Sequence, residues 1–262
     1  MNLKSEKVIG IVGGMGPQAG NSLLNDILRY TNATADQHHL SVVMMSFPKH
    51  IADRTSFING TSTINPAFSI AEIIHKLEGA GASIIGIACN TSHAPEIFNV
   101  ILEELARTGS RVKLLNMPME TCHYIKKNCT NVQRVGLMTT NGTYKAGIYK
   151  AMLQRLGYQV IIPDPKFQNN VIHKMIYDPL FGIKSTPIIT SQVHDLMDKA
   201  LAYFAAQDTD AIILGCTELS LVMNENRVGS MTIVDSTKAL ALALIREASV
   251  VSKLFVTNTL TV

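Results

Sequence analysis

Ile84-Ile85-Gly86-Ile87-Ala88-Cys89-Asn90-Thr91-Ser92-His93 is an apolar run that stops abruptly in short polar side chains. Its continuous apolar half has the pattern of a strand buried on both faces, as in parallel sheets covered by helices. Ligands of open α/β sheets bind beyond the carboxyl ends of the strands, so Cys89 stands where chemistry is ordinarily done. The pattern recurs at Ala211-Ile212-Ile213-Leu214-Gly215-Cys216-Thr217-Glu218-Leu219-Ser220. A second buried strand again ends in a cysteine.

Outward from the first run, Val8 to Val12 is a buried strand, Gly13-Gly14-Met15-Gly16 a tight loop, and Pro17 the first residue of a helix to about Tyr30. Leu40 to Phe47 predicts a strand with Met44 and Met45 in its core. Ala67 to Leu77 has helical spacing, Pro95 opens a helix ending at Gly109, and Val112 to Leu115 is a short strand. The order then restarts. Arg134 to Met138 is a strand, Thr139 to Thr143 a polar loop opening a helix to about Leu156, and Tyr158 to Ile162 a strand. Phe167 to Tyr177 reads as helix, Asp178 to Lys184 as loop, and Ile188 to Ala206 as a long amphipathic helix before the second cysteine strand. Gly10 precedes Cys89 by 79 positions and Gly136 precedes Cys216 by 80, which marks a duplicated unit.

Alternating strands and helices in two units predict an α/β fold of two similar domains, each a parallel sheet flanked by helices. A pseudo-two-fold axis would relate them and leave the site in the cleft between. Residues 1–116 form the first expected domain and 117–222 the second, with a C-terminal helix within 223–262 packing back on the first. That helix runs from Ser236 to Ala248, capped by Asp235 or Ser236. The apolar tail 249–262 has no assigned place.

The 262 residues suffice for two domains of ordinary size. With 47% apolar and 16% charged residues, a sizeable core is expected and disorder is not. A net charge of +3 on scattered lysines and arginines gives no nucleic-acid surface. No apolar stretch reaches the ~18 residues of a membrane span, and the N-terminus lacks a signal pattern. Free thiols then suit a reducing compartment, and a cytoplasmic protein is expected. Cys122 and Cys129 are not in C-x-x-C spacing, so no metal site is expected there.

Equivalent strand ends of a duplicated fold face each other, which would put Cys89 and Cys216 on opposite sides of one bound molecule. Two such thiols suit proton exchange with inversion at carbon: one thiolate removes a proton and the other thiol returns one to the opposite face. A free thiol has a pKa of about 8.5, so donors such as Asn90, Thr91 and Thr217 would be needed to favour the thiolate.

Gly13-Gly14-Met15-Gly16-Pro17, Asp53-Arg54-Thr55-Ser56-Phe57-Ile58, Cys89-Asn90-Thr91-Ser92-His93 and Gly215-Cys216-Thr217-Glu218-Leu219 resemble the signature segments of the aspartate/glutamate racemase family. The resemblance runs in order from Val8 to about Glu247. It implies an isomerase that needs no pyridoxal phosphate or other cofactor, with Cys89 and Cys216 as the two catalytic bases. The implied substrate is a small acidic amino acid, aspartate ahead of glutamate. Arg54, in its Asp-Arg-Thr setting, matches the family's carboxylate-binding arginine, and Lys184 resembles its lysine. Asn90, Thr91, Thr217 and Glu218 would bind the α-amino and α-carboxylate groups. Thr140 and Thr143, with Met15 and Gly16 in the corresponding loop of the first unit, complete the implied substrate contacts. Dimerisation is common for the fold, though no surface pattern in the sequence demonstrates a homodimer.

Rival readings share the scaffold or part of it. Gly14-Met-Gly16-Pro-Gln-Ala19 fits a dinucleotide-binding loop, but the next strand ends in Ser46 rather than an acidic residue. A decarboxylase would retain one cysteine. Hydantoin racemases and maleate isomerases use two, and Arg54 with Glu218 favours the acidic amino-acid branch. A non-catalytic amino-acid-binding module would need neither thiol. His93 reads equally as a tuner of Cys89 or as a histidine bonded to backbone, and stays outside the catalytic set.

Overall fold

Both cysteine runs are inner strands of parallel sheets in the computed structural model, which describes residues 6–186 and 188–249. In the first sheet β1 (Val8–Gly13) lies between β2 (Val42–Ser46) and β3 (Ala82–Ile87), and β4 (Lys113–Leu115) pairs with β3. In the second, β5 (Arg134–Thr139) lies between β6 (Gln159–Ile161) and β7 (Ala211–Gly215); β9 (Met231–Asp235) pairs with β7. The short β8 (Arg227–Val228) runs antiparallel on the β9 edge. The orders β2-β1-β3-β4 and β6-β5-β7-β9 are the same path traced twice.

Equivalent glycines make the two sheets packable. Gly10 lies opposite Ile85 in the β1–β3 register, and Gly136 opposite Ile212 in the β5–β7 register. A Cβ on Gly10 would fall 2.4 Å from Ile85 Cδ1, and one on Gly136 2.6 Å from Phe204 Cδ1. Both lie far inside van der Waals contact, so a side chain at either position would displace its neighbour.

Helices cover both faces of each sheet. α1 (Pro17–Tyr30) places Leu23 and Ile27 against Ile9 and Ile11, together with Leu240 and Leu244 of α11 (Ser236–Ser249). α3 (Ala67–Gly79) and α4 (Pro95–Arg107) bury Ile70, Ile74, Ile97 and Ile101 on the other face. In the second half, α5 (Met117–Asn128) and α7 (Ile148–Arg155) bury Ile125, Tyr149 and Leu153 against Val135 and Ile213. α10 (Ser191–Ala205) puts Met197 and Phe204 on Ile212 and Leu214. Each such side chain contributes about 1.5–3 kcal/mol of burial. The halves are therefore rigid, and their strand ends are fixed platforms.

Several expectations need correction. Met44 is 37% exposed, because β2 is the edge strand of its sheet. A division at 222 is too early: β8 and β9 complete the second sheet before α11 turns back onto α1. The segment after Asp53 holds a helix, α2 (Arg54–Asn59), whose cap is the Asp53 carboxylate accepting from Ser56 N at 2.7 Å. The helix expected from Ile188 begins at Ser191, leaving Ile188 70% exposed. Asp235 supplies the start of α11, accepting from Thr237 N at 2.7 Å. Residues 250–262 of the unassigned tail lie outside the described residues.

Candidate active site

Beyond β3 the backbone turns at once, with Cys89 N donating to Ile87 O at 2.8 Å. Cys89 is left 6% exposed at the strand end. His93 closes the same turn. Its Nδ1 lies 2.9 Å from Cys89 O, and its Nε2 accepts from Met117 N at 3.2 Å. A ring that accepts at Nε2 must carry its proton on Nδ1, so His93 donates to the Cys89 carbonyl. Burial lowers its pKa to about 4, and the ring is neutral. It fixes the Cys89 backbone rather than the sulfur.

The second strand ends alike. Cys216 Sγ donates to Glu218 Oε2 at 3.1 Å, and Thr217 Oγ1 donates to the same oxygen at 3.1 Å. Glu218 Oε1 accepts from Gly16 N of the first half at 2.9 Å and pairs with Lys184 Nζ. Lys184 also reaches Met15 O at 3.3 Å. Burial opposes the charge on both members of the Lys184–Glu218 pair, but their mutual attraction prevails: the lysine pKa is raised and the glutamate pKa lowered. Burial, then the Glu218 charge, push the Cys216 thiol well above its ordinary value. Cys216 therefore keeps its proton.

Arg54 opens α2 and is 7% exposed. It donates from Nη1 to Ala52 O and from Nη2 to Met15 O, both at 3.1 Å, while Nε is buried without a partner. No carboxylate among the described residues lies within ion-pair distance of it. Burial opposes its charge, but the nearby Cys89, Tyr177 and Asp53 outweigh that and raise its pKa. Asp53 presents its other oxygen, Oδ2, to Tyr177 OH across the cleft at 3.0 Å.

The halves also meet through threonines. Thr91 Oγ1 lies 3.0 Å from Thr140 Oγ1 and 2.9 Å from Thr143 Oγ1, at the start of α6 (Asn141–Ala146). Asn90 is spanned from the second half: Tyr149 OH donates to its Oδ1 at 2.5 Å, and its Nδ2 donates to Ser236 Oγ at 3.0 Å. Ser236 in turn donates to Leu214 O at 2.7 Å, two residues before Cys216.

Met15, Arg54, Cys89, Asn90, Thr91, Thr140, Lys184, Cys216, Thr217 and Glu218 thus line one cleft between the sheets. Gly16 touches it through its amide, and Thr143 stands one hydrogen bond behind Thr91. Tyr177 also lines the cleft and was missed from the sequence, as were Asp53, Tyr149 and Ser236 behind it. The free cavity at its centre is about 10 Å³, room for about one water. A wider groove of about 310 Å³ lies between α1 and β9, but neither cysteine reaches it. The cleft thus gathers two thiols, the buried Arg54, the part-buried Lys184 and the Glu218 carboxylate. Cys122 and Cys129 lie elsewhere as free thiols; burial pushes Cys122 up to about 12.

Residues 12–244 match the family model for Asp/Glu/Hydantoin racemase. The chain belongs to this family. It is accordingly a racemase, of the isomerase class. Among solved structures, an aspartate racemase of Picrophilus torridus superimposes with a TM-score of 0.76 at 29% identity, covering 93% of this chain and 94% of that one. The broad specificity amino-acid racemase RacX of Bacillus subtilis is 25% identical over 241 residues, 89% of this chain and 95% of that protein. A glutamate racemase of Pseudomonas aeruginosa is 28% identical over 175 residues, 64% of this chain and 59% of that protein. The fold follows the P. torridus structure over nearly the whole chain. No helix among the described residues is long and apolar enough to cross a membrane.

Proposed function

We propose that the protein racemises an acidic amino acid, aspartate ahead of glutamate, by direct proton transfer between Cys89 and Cys216 without pyridoxal phosphate. The observation that carries this reading is Arg54: a buried guanidinium in the cleft with an unpartnered Nε and, among the described residues, no carboxylate in ion-pair reach. A buried cation so placed needs an anion from outside, and a carboxylate fits its planar donors. Lys184 supplies a second cation. Glu218 offers its charge to an ammonium once Lys184 turns to the substrate. An amino acid with a second carboxylate would satisfy all three.

In this scheme Cys89, beside Arg54, takes the α-proton. The C–H bonding pair stays on the substrate as an enolate delocalised into the α-carboxylate. Cys216 then gives its proton to the opposite face, and the first thiolate is replaced by a second on the other side. No electrons leave or enter the system. The reverse enantiomer runs the steps backwards. The similarity to Picrophilus torridus aspartate racemase supports the acidic substrate. That to RacX makes neutral amino acids the necessary comparison.

The test is incubation of the protein in D₂O with L-aspartate, L-glutamate and L-alanine in turn, following α-proton loss and D-enantiomer formation. Exchange and racemisation of an acidic substrate are expected without added cofactor. Cys89→Ser and Cys216→Ser should each lower racemisation by at least about a hundredfold. Racemisation that survives both substitutions, or is confined to alanine, would refute the proposal.

A further inference from the structure

Arg54 is carried by the first half and Lys184 by the second, so the distance between the two cations depends on how the halves meet. Two groups link them. One is the Met15 carbonyl, which accepts from Arg54 Nη2 at 3.1 Å and from Lys184 Nζ at 3.3 Å. The other is the side chain of Tyr177. Its hydroxyl donates to Asp53 Oδ2 at 3.0 Å, and its ring lies under Lys184 Nζ, 5.7 Å from the centroid. Asp53 caps the turn on which Arg54 sits, so the tyrosine holds the arginine through the cap and the lysine through its ring face.

The chain builds this junction with care. Tyr177 ends a helical passage of α8 (Pro165–Phe167), a π-helical stretch Gln168–His173 and α9 (Lys174–Tyr177). A π stretch shifts the following residues around the helix and recurs at functional sites. Here it stacks His173 on the Tyr177 ring at 4.6 Å and brings His173 Nδ1 to accept from Asn141 N at 3.3 Å. Gln168 Nε2, in the same stretch, donates to Thr139 O at 2.9 Å. The tyrosine is thereby braced from behind on the end of β5. Burial, then the Asp53 charge, raise its pKa, so the hydroxyl remains a donor.

We propose that Tyr177 is a specificity-determining positioning residue that sets the separation of Arg54 and Lys184 and so the length of dicarboxylic amino acid the cleft accepts. This rests on the proposed function. Aspartate and glutamate differ by one methylene, and two cations held at one spacing favour one of them. Loss of the hydroxyl frees Asp53 and the Arg54 turn; loss of the ring also frees Lys184. Tyr177 has no part in proton transfer, because the Asp53 carboxylate occupies its proton.

The experiment compares the parent with Tyr177→Phe, which keeps the ring, and Tyr177→Leu, which removes it. For L-aspartate and L-glutamate, kcat and KM come from α-proton exchange in D₂O, and Kd from calorimetry. In Tyr177→Phe, KM and Kd for the preferred acid should rise about tenfold while kcat falls by less than about threefold. The ratio of kcat/KM between the two acids should move towards one, and further in Tyr177→Leu. An unchanged KM and ratio in Tyr177→Phe overturns the assignment, as does a loss of kcat at constant KM. Should Tyr177→Leu fail to fold, Tyr177→Phe decides alone. If the parent neither binds nor exchanges either acid, the acidic-substrate reading itself fails; if it does both and the variant matches it, only the role of Tyr177 fails.

Discussion

The Cys216 thiol donates to Oε2 of Glu218 at 3.1 Å, and the same carboxylate is the partner of Lys184. A proton-bearing sulfur, an anion and a cation are thus in series at the end of β7. Glu218→Gln removes the negative charge that, after burial, does most to keep the thiol protonated, and leaves Lys184 unpaired nearby. Iodoacetamide should therefore modify Cys216 faster at neutral pH in the variant than in the parent, read by mass spectrometry of the Cys216 peptide. Racemisation should fall by at least about tenfold, because the ammonium anchor goes with the charge. An unchanged alkylation rate would show that burial alone sets the thiol.

His93 gives the fold an acid limit. Its pKa is lowered from 6.5 to about 4 in the native state, so the unfolded chain binds a proton first as pH falls. Stability from the neutral ring is complete above pH 6.5 and is lost on descent to about 4, a change of about 3 kcal/mol. His93→Gln should be less stable than the parent at pH 7 yet show a flatter dependence across that window, in urea unfolding at a series of pH values.

Asp26 acts with the opposite sign. It faces Asp235 in the α1–β9 groove, and burial, then that neighbouring charge, raise its pKa from 3.8 to about 6; Arg29 and Lys238 offset this in part. The folded state holds the proton more tightly than the unfolded one, so stability declines as pH rises through 3.8 to 6. Asp26→Asn should gain about 1–2 kcal/mol at pH 7, the figure being reduced for partial solvent exposure, and nothing at pH 3.5. The two residues oppose each other over much of the same range, so only the single variants separate them.

Gly142 is a close approach of the halves. A Cβ there would lie 2.7 Å from Thr91 Cγ2, 2.9 Å from Thr55 Oγ1 and 3.0 Å from Thr55 Cα. Gly142→Ala should part α2 from α6, with a stability loss of about 1–3 kcal/mol and a larger proportional loss of kcat/KM than of thermal stability. Activity unchanged in a folded variant would mean the interface yields elsewhere.

Much of this was legible in the residues. Paired apolar runs ending in Cys89 and Cys216 disclosed parallel strands, their carboxyl ends and a duplication, because period and burial pattern are local properties. Arg54 and Lys184 were legible only through resemblance, since a lone cation carries no pattern of its own. Tyr177, Tyr149 and Ser236 were hidden: each acts through partners 146 to 59 positions away or across the cleft, and a tyrosine on a helix reads as core. β9 was hidden for a different reason. Met231–Asp235 alternates only weakly, and its place is set by pairing with β7. Met44 failed because an edge strand and a central one look alike until the neighbours are known.

The narrowness of the cleft carries a kinetic consequence. A void of about 10 Å³ cannot admit an amino acid while Tyr177 bridges to Asp53 and Lys184 to Glu218. Entry requires these side-chain bridges to open, and exit requires it again. Turnover should then respond to solvent viscosity, and crystals grown in the shut form should take up ligand by co-crystallisation rather than by soaking.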